Sequence, residues 1–179
     1  MTPERAIETL SRTPGVLSEI LSDRHDRDTL SNYGDNTFSP FDVVGHLIHG
    51  ERTDWLPRIR HILEHGESTP FETFDRYAQL EESKGKSMPQ LLDEFEDRRA
   101  TSIAQLRALD LSPMQLQLRG AHPQLGPVTI GNILAAWAVH DQHHIAQVCK
   151  SIARQSTEDT GAFREYLGIL NDHAPAPGA

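Results

Sequence analysis

The sequence contains one cysteine among its 179 residues, Cys149, so an internal disulfide is excluded. A chain with so little cysteine fits a reducing compartment. Residues 1–10 carry acidic side chains and hold no apolar stretch of signal-peptide length. No apolar run reaches the roughly 18 residues that a membrane-spanning helix needs. We therefore expect a cytoplasmic protein without a membrane-spanning segment.

Positive charge is also scarce, because 17 Lys and Arg residues stand against 26 Asp and Glu residues, for a formal net charge of −9. No local cluster of Lys and Arg offsets this balance. Non-specific binding to nucleic acid depends on such side chains neutralising phosphates. The composition therefore argues against a nucleic-acid partner.

Hydrophobic residues make up 37% of the chain and charged residues 24%, which is typical of a folded globular protein. A length of 179 residues suits a single domain that can bury one hydrophobic core. We expect that domain to occupy residues 1–173. Residues 174–179, A-P-A-P-G-A, contain only Ala, Pro and Gly and are expected to form a flexible tail.

Strand signals are weak, and the one short β-like patch is Gln115–Leu118. Apolar residues recur instead at helical spacing along most of the chain. Four long amphipathic helices and a shorter fifth predict an all-α fold, a helical bundle. The expected helices cover residues 4–22, 40–65, 88–109, 130–153 and 162–170, and polar loops over residues 23–38, 66–86 and 110–128 connect the long ones.

Local signals mark where these helices begin and where they bend. The segments S-P-F-D at residues 39–42 and S-M-P-Q at residues 87–90 combine a capping serine with a side chain three residues later that completes a capping box. Thr129 is the expected cap of the fourth helix. Pro14 interrupts the first helix, and Pro57 is a candidate bend in the second.

The densest chemical signal is W-A-V-H-D-Q-H-H-I-A-Q at residues 137–147, which holds His140, His143 and His144. Residues four apart share one face of a helix, with Cβ atoms roughly 5–6 Å apart. Two imidazoles at that spacing can converge on one metal ion. His143 and His144 are adjacent and point in different directions, so at most one of them joins His140. We favour His144, because its face of the helix continues through apolar residues of the interior.

A single H-x-x-x-H pair fits a structural role as well as it fits a metal site, so a second source of ligands is needed. The predicted second helix supplies one in H-L-I-H-G-E at residues 46–51. His46 lies one turn inside the helix cap beside the apolar stripe, and two facing helices of a bundle can build a metal site between them. His49 is the rival third ligand, although we expect it to be solvated.

Three further residues are candidates for lining the pocket or for bonding to the ligands: Glu51, Trp137 and Gln147. Glu51 could coordinate a metal directly or accept a hydrogen bond from a ligand. Trp137, three residues before His140, is expected in the core and could wall the pocket. Gln147 could orient a ligand, although a hydrogen bond across the bundle is the favoured expectation.

Nearby charged and thiol side chains are expected in structural roles. Asp141 projects about 100° away from His140 around the helix, which favours a cap or a pairing with an arginine. Arg98 and Arg99 are expected on a solvated or ion-paired face of the third helix. Cys149 lies among apolar residues of the fourth helix, which favours packing over nucleophilic catalysis.

The segments S-P-F-D-V-V-G-H-L-I-H-G-E at residues 39–51 and W-A-V-H-D-Q-H-H-I-A-Q at residues 137–147 resemble motifs of the DinB/YfiT-like superfamily. L-L-D-E-F-E-D-R-R at residues 91–99 and G-P-V-T-I-G-N-I-L at residues 126–134 fit the same pattern in the same order. The resemblance covers residues 4–170. It implies a four-helix bundle in the up-down-down-up arrangement.

The resemblance also implies a divalent metal ion, zinc or nickel, held by three histidines and completed by water. Carried over residue by residue, the ligands are His46 from the second helix and His140 and His144 from the fourth. A homodimer is a further expectation from the family. Relatives often carry a tryptophan before the second helix, and Phe38 stands at that place here.

A metal with three protein ligands keeps a coordination position open, which is typical of catalytic sites rather than structural ones. Some members of the family are S-transferases or isomerases that use low-molecular-weight thiols, and others are described as metal-dependent hydrolases. We therefore expect a metal-dependent enzyme of the thiol S-transferase type, acting on a small-molecule substrate or thiol. The alternatives are a metal-dependent hydrolase and a non-catalytic, metal-stabilised bundle that acts in stress response or dimerisation.

Overall fold

The computed structural model describes residues 1–34 and 37–171, so the predicted tail at residues 174–179 lies outside the described residues. None of the helices in the described ranges is long and apolar enough to span a membrane. Two short strands, β1 (Arg119–His122) and β2 (Gly126–Thr129), pair antiparallel, with Arg119 opposite Thr129. The elements in chain order are α1 (Pro3–Leu10), α2 (Thr13–Leu21), α3 (Asp26–Leu30), α4 (Pro40–Thr53), α5 (Trp55–His65), α6 (Ala78–Glu82), α7 (Met88–Ala108), β1 (Arg119–His122), β2 (Gly126–Thr129) and α8 (Ile130–Arg154).

The three predicted helix starts are confirmed, and each forms a reciprocal capping box. At α4 the amide of Ser39 donates to Oδ2 of Asp42 at 3.0 Å, and the amide of Asp42 donates to Oγ of Ser39 at 3.2 Å. The equivalent boxes of α7 and α8 begin at Ser87 and Thr129. These bonds satisfy backbone N–H groups that have no partner within the helix, which fixes where each helix begins.

Two of the predicted long helices are each divided into two segments near a proline. Pro14 has no N–H to donate to the carbonyl of Leu10, and the chain leaves the helix at residues 11–12, just before the proline. Pro57 removes the equivalent bond in the second helix, which breaks at Asp54, where φ is −112° and ψ is −76°. Each divided helix still runs from one apolar cluster of the interior to the other, so α1–α2 and α4–α5 each form one arm of the bundle.

The connections between the arms contain more structure than the sequence predicts. The predicted strand at Gln115–Leu118 is wrong, because residues Gln115–Gln117 form a 3-10 turn. The two strands come after this turn in the chain. The short helices α3 and α6 lie in segments that were expected to be loops. Each is only five residues long. A helix of this length is too short to produce a recognisable period of apolar residues in the sequence.

The predicted fifth helix at residues 162–170 is helical, but it is not an α-helix. This segment forms two 3-10 turns, Gly161–Tyr166 and Gly168–Leu170. Leu167 lies between the turns with φ −99° and ψ 85°, outside the helical region. Gly168 stands inside the predicted helix, and glycine is a poor helix former, so the apolar spacing of this segment does not produce an α-helix.

Two separate apolar clusters fill the interior and show the direction of each arm. The chain passes from the first cluster to the second in α1–α2, back from the second to the first in α4–α5 and again in α7, and from the first to the second in α8. The described chain is therefore a four-helix bundle in the up-down-down-up arrangement. Typical members are Leu10, Ile59, Leu106 and Leu134 in the first cluster and Leu17, Leu47, Phe95 and Val148 in the second.

A layer of buried polar side chains separates the two apolar clusters. One residue from each arm joins a single hydrogen-bonded network in this layer, and in each arm that residue stands in sequence between members of the two clusters. The four residues are Thr13, Glu51, Arg99 and Asp141. The predicted histidine segment of α8 contains Asp141, so the polar layer and the candidate site occupy the same level of this helix.

Because α4–α5 and α7 run in the same direction, the end of α5 and the start of α7 lie at opposite ends of the bundle. The segment that connects them must therefore span the length of the bundle. Residues 66–87 make this crossover. Phe71 packs into the first apolar cluster, and the segment then follows α4, where the ring of Phe74 packs against His46. The crossover therefore lies over the face of α4 that carries one of the candidate ligands.

Candidate metal centre

Three histidine side chains from two helices meet inside the bundle. The Nε2 atoms of His46 and His140 are 3.1 Å apart, and those of His144 and His140 are also 3.1 Å apart. One nitrogen atom from each of the three rings lies within 4.8 Å of the others. The spacing of four residues places His140 and His144 on one face of α8, and the packing of α4 against α8 brings His46 to the same point.

The donor set and its geometry fit a divalent metal ion. Two bonds of about 2.1 Å at the tetrahedral angle place their nitrogen atoms about 3.4 Å apart, which is close to the separations in this cluster. A neutral imidazole carries a single proton, so three facing Nε2 atoms cannot all be satisfied by hydrogen bonds to one another. In the described part of the chain, Nδ1 of His140 has no hydrogen-bond partner, so this ring depends on its Nε2 side for a polar partner.

The protonation of the cluster also favours metal binding. Burial is the main cause that lowers the pKa from the ordinary value of 6.5 to about 3 in His46, about 2 in His140 and about 4 in His144. The neighbouring charge of His144 is the next cause for the other two. Near pH 7 the three rings are therefore neutral, and their lone pairs are available to a metal ion without release of a proton.

Gln147 holds one of the three rings in place. Its Oε1 lies 2.8 Å from Nδ1 of His144, so it accepts the Nδ1–H of the tautomer whose Nε2 faces the cluster. Such a bond fixes both the tautomer and the orientation of a ligand ring. The favoured expectation of a bond across the bundle is wrong, because Gln147 bonds to a residue one turn away on its own helix.

The two rival histidines lie outside the cluster. His143 is exposed on α8. His49 is only 5% exposed, so the expectation that it is solvated is wrong. Its Nδ1 lies 3.1 Å from Oε2 of Glu82, and Glu82 also pairs with Arg52. His49 is therefore held between α4 and α6. The sequence prediction missed α6, because this helix is too short to show a periodic pattern of apolar residues.

The polar layer is joined by a buried ion-pair network centred on Arg99, which is 1% exposed. Its Nε and Nη2 donate to Oε1 of Glu51 at 3.0 and 2.8 Å, and its Nη1 and Nη2 donate to the two carboxylate oxygens of Asp141 at 2.5 and 3.1 Å. Nη1 also donates to the carbonyl of Leu10, the group that Pro14 leaves without a helical partner, at 2.8 Å. The pairing of Asp141 with an arginine is confirmed, and Arg99 is ion-paired in the core rather than on the surface.

Two tryptophans connect this network to the histidines. Trp137 is buried in the core, as expected, and its Nε1 donates to Oε1 of Glu51 at 3.0 Å. Trp55 stacks on Trp137 at 6.0 Å between ring centroids and meets the ring of His140 at 5.1 Å. Of the two tryptophans, Trp55 rather than Trp137 contacts the cluster. Glu51 bonds to Arg99 and Trp137 rather than to a histidine of the cluster.

Two phenylalanines flank His46. Phe38 lies 5.5 Å and Phe74 5.6 Å from its ring, measured between centroids. Phe38 stands directly before Ser39, the cap of α4, so its place beside the first turn of that helix can be read from the sequence. Phe74 lies in a polar connection without any periodic pattern, and the sequence prediction missed it.

The structure resembles that of YfiT from Bacillus subtilis, which is described as a probable metal-dependent hydrolase with an unusual four-helix bundle topology. The TM-score is 0.72 and the sequence identity 24%, over 86% of this chain and 87% of that one, so the likeness confirms the fold. No curated protein matches the sequence. The sequence model of the DinB superfamily matches residues 9–148, which include all three histidines of the cluster. The chain therefore belongs to the DinB superfamily.

Proposed function

We propose that this protein binds one divalent metal ion through the Nε2 atoms of His46, His140 and His144. The observation that carries the proposal is the convergence of these three neutral nitrogen atoms, two pairs of which are 3.1 Å apart. Imidazole ligands suit both zinc and nickel, and we propose one of these two as the ion.

Three protein ligands leave space for a substrate atom, so the site suits catalysis better than a purely structural role. The residues around the cluster hold the ligand rings in fixed positions. Gln147 orients His144, Trp55 packs against His140, and Phe38 lies against His46. Aromatic side chains on several sides of the cluster limit the access of bulk water to the reacting atoms.

We propose transfer of a low-molecular-weight thiol as the reaction. A hydrolase that activates water normally has a general base within reach, but Glu51 and Asp141, the carboxylates next to the ligands in sequence, are both held by Arg99. A divalent metal ion, when bound, would supply the acidity that deprotonates a coordinated thiol without a carboxylate base. The engagement of both carboxylates therefore favours a thiol over water as the activated group.

A metal-dependent hydrolase is the second candidate. It is supported by the structural likeness to YfiT from Bacillus subtilis, which is described as a probable enzyme of that class. An assay can separate the two reactions, because only a hydrolase would cleave a carboxylic ester in the absence of thiol.

Metal content is the first test of the site. Mass spectrometry of the untagged protein is expected to find close to one equivalent of metal, and the variants His46→Ala and His144→Ala are expected to lose it. His65→Ala is the matched control, because His65 is exposed at the end of α5, and it should keep the metal. An empty parent protein, or unchanged metal content in either ligand variant, would contradict the three-histidine site.

The reaction is tested with the metal-loaded protein. Consumption of a low-molecular-weight thiol with an electrophilic acceptor should require the metal and should disappear in His144→Ala. Metal-dependent cleavage of an ester without thiol would support the hydrolase instead. If metal removal lowers the thermal stability but neither reaction is found, the non-catalytic bundle is the better description.

A further inference from the structure

The crossover connection places aromatic side chains over the histidine cluster. The ring of Phe74 contacts His46 at 5.6 Å and His49 at 5.1 Å between centroids. On the other side of His46, the ring of Phe38 lies 5.5 Å away and meets Tyr77 of the crossover edge-on at 6.2 Å. These rings form an apolar wall beside one of the candidate ligands.

The same segment carries a cationic side chain onto this wall. The guanidinium carbon of Arg76 lies 5.8 Å from the centroid of Phe38 and 5.4 Å from the centroid of Tyr77. Arg76 is exposed, and its guanidinium therefore stands between solvent and the ring that contacts His46. Stacking of a guanidinium on aromatic rings restricts its orientation and leaves its N–H edge free to bind a ligand.

Among the residues that the structure describes, no acidic side chain forms an ion pair with Arg76. Within residues 1–34 and 37–171, no carboxylate lies within ion-pair distance of this side chain. The other charged groups around the cluster are paired, Arg99 with Glu51 and Asp141, and Arg52 with Glu82. As far as the described residues extend, an anion that approaches the cluster therefore meets a positive charge without an ion-pair partner.

We propose that Arg76 binds a carboxylate of the substrate, so that the site accepts anionic small molecules with an apolar or planar part that rests on Phe38 and Phe74. The inference rests on the proposed metal-dependent function and adds a substrate class to it. The planar guanidinium suits a carboxylate, because two parallel N–H groups can bind its two oxygens. The distance from Arg76 to His46 spans a single aromatic ring, so a small carboxylate bound there holds its other end near the cluster.

The test uses the zinc-loaded protein and the pair benzoate and benzamide, which share a shape and differ in charge. Calorimetric titration is expected to show that benzamide binds about fivefold more weakly than benzoate, the upper end for an exposed ion pair. Arg76→Gln should weaken benzoate binding about fivefold and leave benzamide binding unchanged. Added salt should weaken benzoate binding more in the parent than in the variant, because salt screens exposed charges.

Arg60→Gln is the matched control, because Arg60 is an exposed arginine of α5 that bonds to Gln105 away from the cluster. A chain that takes up no zinc contradicts the proposed metal-dependent function. Zinc uptake together with equal benzoate affinity in the parent and in Arg76→Gln overturns the carboxylate site alone. The carboxylate site is also overturned if the zinc-loaded parent does not bind benzoate, or if Arg60→Gln weakens benzoate binding as much as Arg76→Gln does.

Discussion

Arg99 of α7 and Asp141 of α8 form a two-point ion pair at the centre of the bundle, with hydrogen bonds of 2.5 and 3.1 Å. Asp141 directly follows His140, so this contact holds α7 against the turn of α8 that carries a candidate ligand. Burial alone would lower the pKa of Arg99, but Asp141 and Glu51 raise it above its ordinary value, so the guanidinium stays charged. The register of the helices around the candidate site therefore depends on the buried positive charge of Arg99.

Replacing Arg99 with methionine is expected to destabilise the protein strongly. Arg99→Met leaves the buried carboxylates of Glu51 and Asp141 without their partner, and loss of one member of a buried ion pair costs about 3–5 kcal/mol. Urea unfolding at pH 7.5 measures this change. Arg98→Met is the control, because Arg98 forms an exposed pair with Glu94, and its loss should change the free energy of unfolding by less than about 1 kcal/mol. Equal effects of the two substitutions would show that the network does not stabilise the fold.

Gln147 is expected to contribute to metal affinity without being a ligand. Gln147→Ala removes the acceptor for Nδ1–H of His144, and loss of such an orienting bond weakens metal binding about 10–100-fold. Competition with a chromogenic chelator measures the affinity. Gln142→Ala is the matched control, because Gln142 is exposed on the same helix. The orienting role would be refuted if both glutamine variants bound metal as tightly as the parent.

The stability of the metal-free protein is expected to fall as the pH drops below 6.5. The pKa values of His46, His140 and His144 are lowered by burial to about 3, 2 and 4, whereas the unfolded chain titrates near 6.5. Below pH 6.5 the unfolded state therefore binds protons that the folded state excludes, and the stability present above pH 6.5 is lost progressively.

Thermal unfolding of the metal-free protein between pH 7.5 and pH 5 measures this dependence. His140→Gln should unfold with a shallower pH dependence than the parent, because it lacks one of the excluded protonation sites. His65→Gln should keep the slope of the parent, since His65 is exposed. A melting temperature that stays constant over this range would show that the three rings are not buried in the neutral form.

The parts of the fold that could be predicted from the sequence depend on local signals. Ser39, Ser87 and Thr129 mark the starts of α4, α7 and α8 because a cap and its partner lie only three residues apart. The spacing of His140 and His144 fixes their shared face in the same way. The prediction that His46 meets them rests on its place beside the apolar stripe of the second helix and on the resemblance to a family, since no local rule specifies which helices face each other.

The parts that could not be predicted depend on contacts between distant segments. Arg98 and Arg99 are adjacent and chemically alike, and only the packing of α7 decides that one is exposed and the other buried. His49 is buried because α6 covers it, and a helix of five residues has no periodic signal. Arg76 lies near the cluster because two neighbouring arms run in the same direction, which obliges the crossover to pass along α4.

The substitution Gly45→Ala tests how tightly the crossover at residues 66–87 packs against α4. A Cβ at this position of α4 would lie 2.4 Å from Oγ of Ser83 and 2.9 Å from Oε1 of Gln79, and both of these side chains are buried. Gly45→Ala should therefore push α6 away from α4, and the cost of overpacking should exceed the gain in helix propensity, for a net loss of about 1–2 kcal/mol.

Gly15→Ala is the control for Gly45→Ala, because a Cβ on Gly15 of α2 meets nothing within 4 Å. This substitution should stabilise the protein by about 0.5–1 kcal/mol through helix propensity alone. Adding Ser83→Ala to Gly45→Ala removes the closest atom and should recover part of the loss, since the remaining Cβ of residue 83 lies at an ordinary contact distance of 3.6 Å. If urea unfolding finds Gly45→Ala as stable as Gly15→Ala, the crossover is packed loosely enough to move, and the positions of Phe74 and Arg76 beside His46 lose their structural support.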